Sequence, residues 1–252
     1  IIQQDFANAN SNGYLVLEPM VLHAADYGVP QSRERVIFIG IKKSALNPEA
    51  LKELSKPQVI DKYNPYPKPS HAYTVKGGDL KSPVTLASIF KGLPEPDEST
   101  DPSQKFYSKA KYMGKHCQGQ TEINLNCISP TIRAEHHGNI EFRRLSVANG
   151  GKQLEELLNK KLKERRLTPR ECALIQTFPP DYDFVIPMSG NRFLVSPSSA
   201  YKIIGNAVPP LLAYHIAKRI EKLWSLYFNK KDNNDSISKF RARQGSIPDI
   251  TG

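Results

Sequence analysis

The sequence RRLTPRECALIQTFPP, at residues 165–180, predicts a short helix with a strong start signal. Thr168 can accept a hydrogen bond from a free N–H group of the first turn, and Glu171 can reach back to the N–H group of Thr168. Pro169 suits the first helical position because its φ angle is already helical. Apolar residues follow, and Pro179–Pro180 would end the helix. The stretch therefore predicts one capped helix with an apolar side.

Two further stretches carry a recognisable pattern. YKIIGNAVPP, at residues 201–210, predicts a tight turn at Gly205 and then a helix whose φ angles are preset by two prolines. Taken alone, this pattern is also typical of a plain asparagine-capped helix without further function. DYGVPQSRERVIFIGIKK, at residues 26–43, places two arginines in a polar loop before a run rich in Val and Ile.

Together, these stretches resemble conserved blocks of the DNA (cytosine-5) methyltransferases, in the order of that family. The resemblance covers residues 13–43 and 165–219 and is loose between them. It implies an α/β fold, namely part of a doubly wound S-adenosylmethionine-dependent methyltransferase sheet plus a small, irregular, β-containing recognition domain. The implied division is 1–43 for strands of the catalytic domain, 44–196 for target recognition, 197–228 for a helix returning to the catalytic domain, and 229–252 for a tail.

The remaining elements are predicted from hydrophobic periodicity. The pattern predicts strands over residues 13–24 and 35–43, and helices starting at Asn47 and Ser82 and spanning 153–163 and 208–228. The acidic run PEPDESTDPSQ at residues 94–104 is typical of a solvated loop.

The polar loop before the second strand holds the predicted catalytic residues, Gln31, Arg33 and Arg35. In the family that the chain resembles, the second arginine contacts the O2 edge of a flipped cytosine, so Arg35 would take that place with Gln31 and Arg33 beside it. Thiolate addition to C6 builds negative charge on the ring and its carbonyl, which a fixed guanidinium stabilises. Without the resemblance, a surface pairing with Glu34 or solvent explains the arginines as well.

The resemblance also implies a cofactor. Asn206, Ala207 and Val208 match the family block that closes over S-adenosylmethionine, which makes this molecule the expected methyl donor. A helix N-terminus follows, and such an end favours negative groups nearby. The family often has Gln two residues before the glycine of this block, whereas this chain has Ile203, so a contact made by that Gln is not carried over.

The charge of the chain points to an anionic partner. Lys and Arg number 35 against 25 Asp and Glu, a net charge of +10. The resemblance makes that partner double-stranded DNA and places the target-recognition loops in the variable region before residue 165. Its candidate DNA-binding side chains are Arg133, His136, His137, Asn139, Arg143 and Arg144. A generic basic face is the alternative explanation.

Other classes of site and location receive little support. The cysteines and histidines show no Cys-x-x-Cys pair, so no metal is expected. Cys172 has apolar neighbours and is predicted to be a buried small residue instead of a nucleophile. No apolar run is long enough to span a bilayer, and no signal-like segment or disulfide spacing occurs, which favours a reducing interior. The expected location is the cytoplasm of a prokaryotic cell.

Several blocks of the family are not found in this sequence. The family's nucleophile is a Cys directly after a Pro, but none of Cys117, Cys127 and Cys172 follows a Pro. The Glu-Asn-Val segment and the Gly-rich loop that holds the methyl donor are also absent, and the first residue is Ile1 instead of Met. The sequence therefore predicts the C-terminal part of a sequence-specific, base-flipping methyltransferase, inactive alone.

That prediction implies a partner and leaves alternatives open. An N-terminal catalytic half or subunit would carry the nucleophilic Cys and the Gly-rich loop, in an enzyme of DNA methylation within a restriction-modification system. The chain would be either the second subunit of a naturally split enzyme or a truncated piece of a single-chain one. Outside this class, a stand-alone DNA-binding module without catalysis is the alternative.

Overall fold

The computed structural model describes residues 2–9, 13–117, 119–134, 140–152 and 162–228. The helices are Ile2–Ala7 (α1), Pro48–Leu54 (α2), Leu86–Ile89 (α3), Pro102–Lys105 (α4), Pro169–Ile175 (α5), Pro197–Asn206 (α6) and Pro210–Tyr227 (α7). The strands are Tyr14–Val16 (β1), Met20–His23 (β2), Glu34–Ile37 (β3), Gly40–Lys42 (β4), Phe142–Arg144 (β5), Arg165–Arg166 (β6), Ile186–Pro187 (β7) and Phe193–Val195 (β8). Among these described helices, none has the length and apolar character needed to cross a membrane.

The strands pair two by two. Neighbouring pairs are β1–β4, β2–β3, β5–β6 and β7–β8, and β1 runs antiparallel to β4 with Leu15 opposite Ile41. Each long strand predicted in the first 43 residues is broken into two short ones. Pro19 lacks the N–H group that a continuing ladder needs, and it separates β1 from β2. Within the described ranges no sheet exceeds two strands, so the doubly wound sheet stays a prediction.

The chain divides into two compact units, which do not end at the predicted positions 43 and 196. The first comprises the described parts of residues 1–21, 36–68 and 215–252, and the second comprises those of 22–35 and 69–214. The assignment of chain segments to catalysis and recognition therefore stays a prediction.

The first unit packs around helix α2 and the last turns of α7. Its core consists of Leu17, Ile39, Leu46, Ala50, Leu54, Tyr63, Tyr66, Leu223 and Tyr227. Asn47 caps α2, as predicted, because its side chain accepts a hydrogen bond from Ala50 N at 2.7 Å. The same side chain donates to Leu226 O at 2.8 Å, which ties the start of α2 to the end of α7.

The second unit packs around helices α5 and α6. Its core is formed by Leu86, Phe90, Ile123, Ile132, Ile140, Leu167, Cys172, Ala173, Ile175, Phe184, Val185, Ala200, Tyr201 and Ile204. The capping box predicted for α5 is confirmed, since Glu171 N donates to Thr168 Oγ1 at 3.0 Å and Thr168 N donates to Glu171 Oε2 at 2.9 Å. The helix already ends at Ile175, before the two prolines.

One predicted helix in this unit starts later than predicted, and another falls mostly on residues that the structure does not describe. The helix predicted from Ser82 begins only at Leu86, because the chain leaves a bridge between His71 and Lys81 and remains non-helical up to Thr85. Of the helix predicted over residues 153–163, residues 153–161 lie outside the described ranges, so this helix stays a prediction. Helix α6 was missed, although Ser196 and Pro197 give it an ordinary cap and first residue.

Candidate functional site

The buried guanidinium of Arg33 joins three separate segments of the second unit. Its side chain is only 1% exposed. Nη1 donates to Ile132 O at 2.9 Å, and Nη2 donates to Gly205 O at 2.7 Å and to Ala207 O at 3.0 Å. Hydrogen bonds from a charged donor are about twice as strong as neutral ones. The predicted catalytic loop and the predicted cofactor block are thus held against each other through one side chain.

The chain around Arg33 is also paired with residues 129–132. Ser32 N donates to Ser129 O at 2.8 Å, and Ile132 N donates to the side-chain oxygen of Gln31 at 3.0 Å. Thr131 Oγ1 donates to Ser32 O. Gln31 is fully buried, so it faces the protein interior together with Arg33. Both side chains therefore position the segment at residues 129–132.

Arg35 has a different environment. It is half-buried, and its Nη1 donates to the neighbouring Glu34 O at 2.6 Å in an exposed hydrogen bond. Burial lowers the pKa of its guanidinium from the usual value. Of the three predicted catalytic residues, Arg35 alone keeps an exposed guanidinium, and its contact with a cytosine stays a prediction.

Gly205 serves a purpose other than the predicted turn. It lies in the last turn of helix α6, and its φ angle is not in the left-handed region. A Cβ atom at this position would lie 2.4 Å from the carbonyl carbon of Arg133 and 2.5 Å from Ala134 N. The prediction of a turn at Gly205 was therefore wrong, because glycine is needed here for the close approach of two main chains.

The C-terminal end of α6 is fixed from the protein interior. Gln176 Nε2 donates to Ile204 O at 2.8 Å, and Arg33 binds the next carbonyl, that of Gly205. The last carbonyl groups of a helix lack partners in the next helical turn, and these two side chains supply donors to two of them, in addition to the bond from Ala207 N to Ile204 O.

The residues predicted to contact the cofactor lie on the outer side of this end. Asn206 and Val208 are exposed, Val208 by 44%, and Ala207 is half-buried. The Asn206 carboxamide makes no hydrogen bond to any described residue, so it is available to a polar ligand. A carboxamide that is accessible to ligands, on a main chain bound by Arg33 and Gln176, fits the polar groups of S-adenosylmethionine.

Two of the predicted DNA-binding arginines point toward carboxylates inside the unit. Arg144 binds Glu95 through two N–H groups at 2.8 Å and 2.6 Å. Arg143 lies with its Nε 3.3 Å from Glu171 and its guanidinium 5.1 Å from the centre of the Phe90 ring. These contacts favour a structural role for both arginines, and their contact with DNA stays a prediction.

The other candidates for DNA contact surround a segment that is only partly described. Arg133 is half-buried, with Nη2 lying 3.3 Å from Glu141 Oε1. His136, His137 and Asn139 lie outside the described ranges.

The acidic run at residues 94–104 was predicted to be a solvated loop, but two of its carboxylates pair with arginines. Arg165 binds Glu95 and, through two N–H groups at 2.8 Å and 2.9 Å, Glu171. Asp101 accepts from Arg170 at 2.5 Å. Burial alone would raise the pKa of Glu95, but hydrogen bonds from its arginine partners outweigh it and lower that pKa to about 2. The carboxylates of Glu95 and Asp101 thus neutralise buried arginines. These partners lie about 70 positions away in the sequence, so local patterns could not predict the pairs.

The thiol of Cys172 does not offer a reactive centre. Cys172 is fully buried, and burial raises the pKa of its thiol well above the usual value, as does the charge of Glu171. A thiol that stays protonated is a poor nucleophile, which confirms Cys172 as a small core residue. Across the described ranges, no group of three or more His, Cys, Asp or Glu comes together as metal ligands would.

Comparison with known proteins gives a consistent assignment. The family described as C-5 cytosine-specific DNA methylase matches residues 2–222. Type II methyltransferase M.BsuRI of Bacillus subtilis is 31% identical over 98% of this chain and 50% of its own length. M.BspRI of Lysinibacillus sphaericus is 32% identical over 92% of this chain and 48% of its own length. The chain thus spans about half the length of these curated relatives.

Among solved structures, the Dnmt2 methyltransferase of S. pombe aligns with 84% of this chain and 59% of its own, at 16% identity and a TM-score of 0.47.

Proposed function

This chain belongs to the C-5 cytosine-specific DNA methylase family, and from that premise we propose that it is the C-terminal part of a sequence-specific DNA (cytosine-5)-methyltransferase. The complete enzyme would have the α/β methyltransferase fold and would methylate C5 of a flipped cytosine in duplex DNA. An N-terminal half or subunit would contribute the Cys nucleophile and the Gly-rich loop, since no Cys of this chain follows a Pro.

The observation that carries the proposal is the Arg33 junction. It fixes the loop of Gln31–Arg35 and the block of Gly205–Val208 against each other, although they lie far apart in the sequence. A reaction between a bound base and a bound methyl donor requires that the segments binding them are held at a fixed separation. A module that only binds DNA has no comparable need for this junction.

Arg35 is proposed as the catalytic arginine. Its single hydrogen bond within the described residues leaves guanidinium N–H groups for a ligand. Directed at the O2 carbonyl of cytosine, they would stabilise the negative charge that develops when a thiolate attacks C6. Removing one such fixed donor from an active site typically costs about 10²–10³ in rate.

Gln31 and Arg33 are proposed as positioning residues instead of base contacts. Both are buried, and both are bound to the main chain of residues 131–133 or to each other. That segment runs directly into Arg133 and into the histidines at 136 and 137, which are proposed to contact DNA. The two side chains would thereby hold the DNA-reading loop in register with the reaction site.

Asn206, Ala207 and Val208 are proposed to border the cofactor. When bound, S-adenosylmethionine supplies the methyl group. The Asn206 carboxamide would hydrogen-bond its polar groups, and the Val208 side chain would cover its apolar parts. Gln176 and Arg33 contribute by keeping the main chain at this edge immobile.

Reconstitution tests the proposal. The chain is co-purified with a candidate N-terminal half, a protein that carries the Pro-Cys and Gly-rich blocks, and transfer of a labelled methyl group to duplex DNA is measured. The mixture should methylate DNA, and neither protein should do so alone. Arg35→Ala should reduce the rate about 10²–10³-fold. Arg192→Ala, at an exposed arginine, is the matched control and should leave the rate unchanged.

The same experiment separates the competing functions. DNA binding without methylation by any mixture would favour the stand-alone binding module. Full activity of Arg35→Ala would show that a different cation stabilises the reacting base.

A further inference from the structure

A cavity lined by cations lies in the first unit, and none of its lining residues belongs to the sites described above. Its volume is about 220 Å³. The lining residues are Pro67, Lys68, His215, Lys218, Arg219 and Lys222. A water molecule occupies roughly 30 Å³ in the liquid, so a tetrahedral oxyanion has ample room.

Helix α7 concentrates the positive charge on one face. His215, Lys218, Arg219 and Lys222 follow one another at spacings of three, one and three residues, so they lie on the same side of the helix. Like charges at such spacing repel by about 0.2–0.5 kcal/mol per pair. An anion bound in the cavity would offset this repulsion. The charges line a concave surface, which can hold such an anion.

Arg219 is already oriented for a ligand. Its Nε donates to Asn64 O at 2.9 Å and its Nη2 donates to Asp61 O at 2.6 Å. These two bonds fix the plane of the guanidinium beside the cavity. A pre-oriented arginine loses little side-chain entropy when it binds a planar or tetrahedral oxyanion.

The lysines of the cavity are held only loosely by carboxylates. Lys68 pairs with Asp61 at 2.6 Å and Lys218 pairs with Glu221 at 2.9 Å. All four side chains are about half or more exposed, and ion pairs between exposed side chains contribute little. A doubly charged oxyanion competes well for such lysines. Among the residues that the structure describes, the ion pairs of the cavity lysines involve Asp61 and Glu221, whereas four cationic side chains line the cavity.

We infer that this cavity is a phosphate-binding site. Arg219 would bind phosphate oxygens in a fixed direction, and Lys68, Lys218 and Lys222 would close around them. The phosphate belongs either to the backbone of DNA or to a free phosphate compound, and both present the same oxyanion chemistry. None of the lining residues is among the proposed methyl-transfer residues, and the inference does not depend on that proposed function.

The test uses the full chain and one double variant. Lys218→Gln combined with Lys222→Gln removes two charges from exposed side chains of the cavity, so folding is preserved. Lys52→Gln combined with Lys91→Gln removes the same charge from exposed positions elsewhere and is the matched control. Calorimetric titration with inorganic pyrophosphate should show binding to the unmodified chain and to the control. The cavity variant should bind about tenfold more weakly.

A salt series with duplex DNA identifies the source of the phosphate. If the cavity holds a backbone phosphate, the slope of log affinity against log salt falls by about 0.9 in the cavity variant relative to the control. An unchanged slope together with weakened pyrophosphate binding assigns the cavity to a free phosphate compound. Equal pyrophosphate affinity in the cavity variant and the control, or no pyrophosphate binding by the unmodified chain, overturns the inference.

Discussion

Replacing Arg33 with methionine should destabilise the second unit strongly. Methionine keeps the length of the side chain and its apolar stem, but it removes the donors to the carbonyls of Ile132, Gly205 and Ala207. A hydrogen bond from a charged donor contributes about 1.5–3 kcal/mol, so three contribute roughly 4.5–9 kcal/mol. Removing a buried charge returns part of that free energy, because the charge no longer has to be desolvated. We therefore expect a net loss of about 3–5 kcal/mol in the free energy of unfolding.

Urea unfolding followed by circular dichroism measures this loss. With a slope of about 2 kcal/mol per molar urea, the midpoint should fall by about 1.5–2.5 M. Arg33→Lys should recover part of the difference, because one ammonium group reaches fewer of the carbonyls than a guanidinium fork. Arg192→Met, at an exposed arginine, should change the midpoint little. A loss below about 1 kcal/mol in Arg33→Met would refute the view that this side chain joins the three segments.

Three further expectations follow from the contacts described above. Gly205→Ala should lower the free energy of unfolding by about 1–3 kcal/mol, because the new methyl group meets the main chain of Arg133; an unchanged urea midpoint would contradict the close approach. Glu95 has a pKa lowered to about 2, so its contribution to stability is present above the usual carboxyl pKa and is lost as the pH falls toward 2; in Glu95→Gln, urea midpoints measured across this window should depend less on pH. A thiol reagent should label the exposed Cys127 in the native protein and reach the buried Cys172 only after unfolding, as peptide mass mapping would reveal.

Local signals in the sequence were enough to predict the starts of two helices. Asn47 caps α2 and Thr168 caps α5 as expected, because capping depends on residues within one turn of each other. The strands were predicted too long, since Pro19 was read as part of one strand although it cannot donate to a ladder.

Contacts between distant residues escaped local patterns. The partners of Arg33 lie 99, 172 and 174 positions away, so the spacing of the arginines could not reveal which of them is buried. Gly205 was assigned to a turn because glycine is most often found in turns, whereas its environment depends on the distant main chain of Arg133. Family resemblance predicts that both segments border one reaction site. Arg33 brings the two segments into contact, and the reaction site itself stays a prediction.

The junction also bears on how members of such a family can diverge. Arg33 binds main-chain oxygen atoms, which every amino acid carries, so the hydrogen bonds themselves do not depend on the side chain at Ala207. Gly205 is constrained in size by the main chain of Arg133, and Ile132 is constrained by its place in the core. A recognition region could therefore be exchanged for one with another target sequence while its attachment survives, which makes residues 131–134 a natural boundary for building chimeric enzymes.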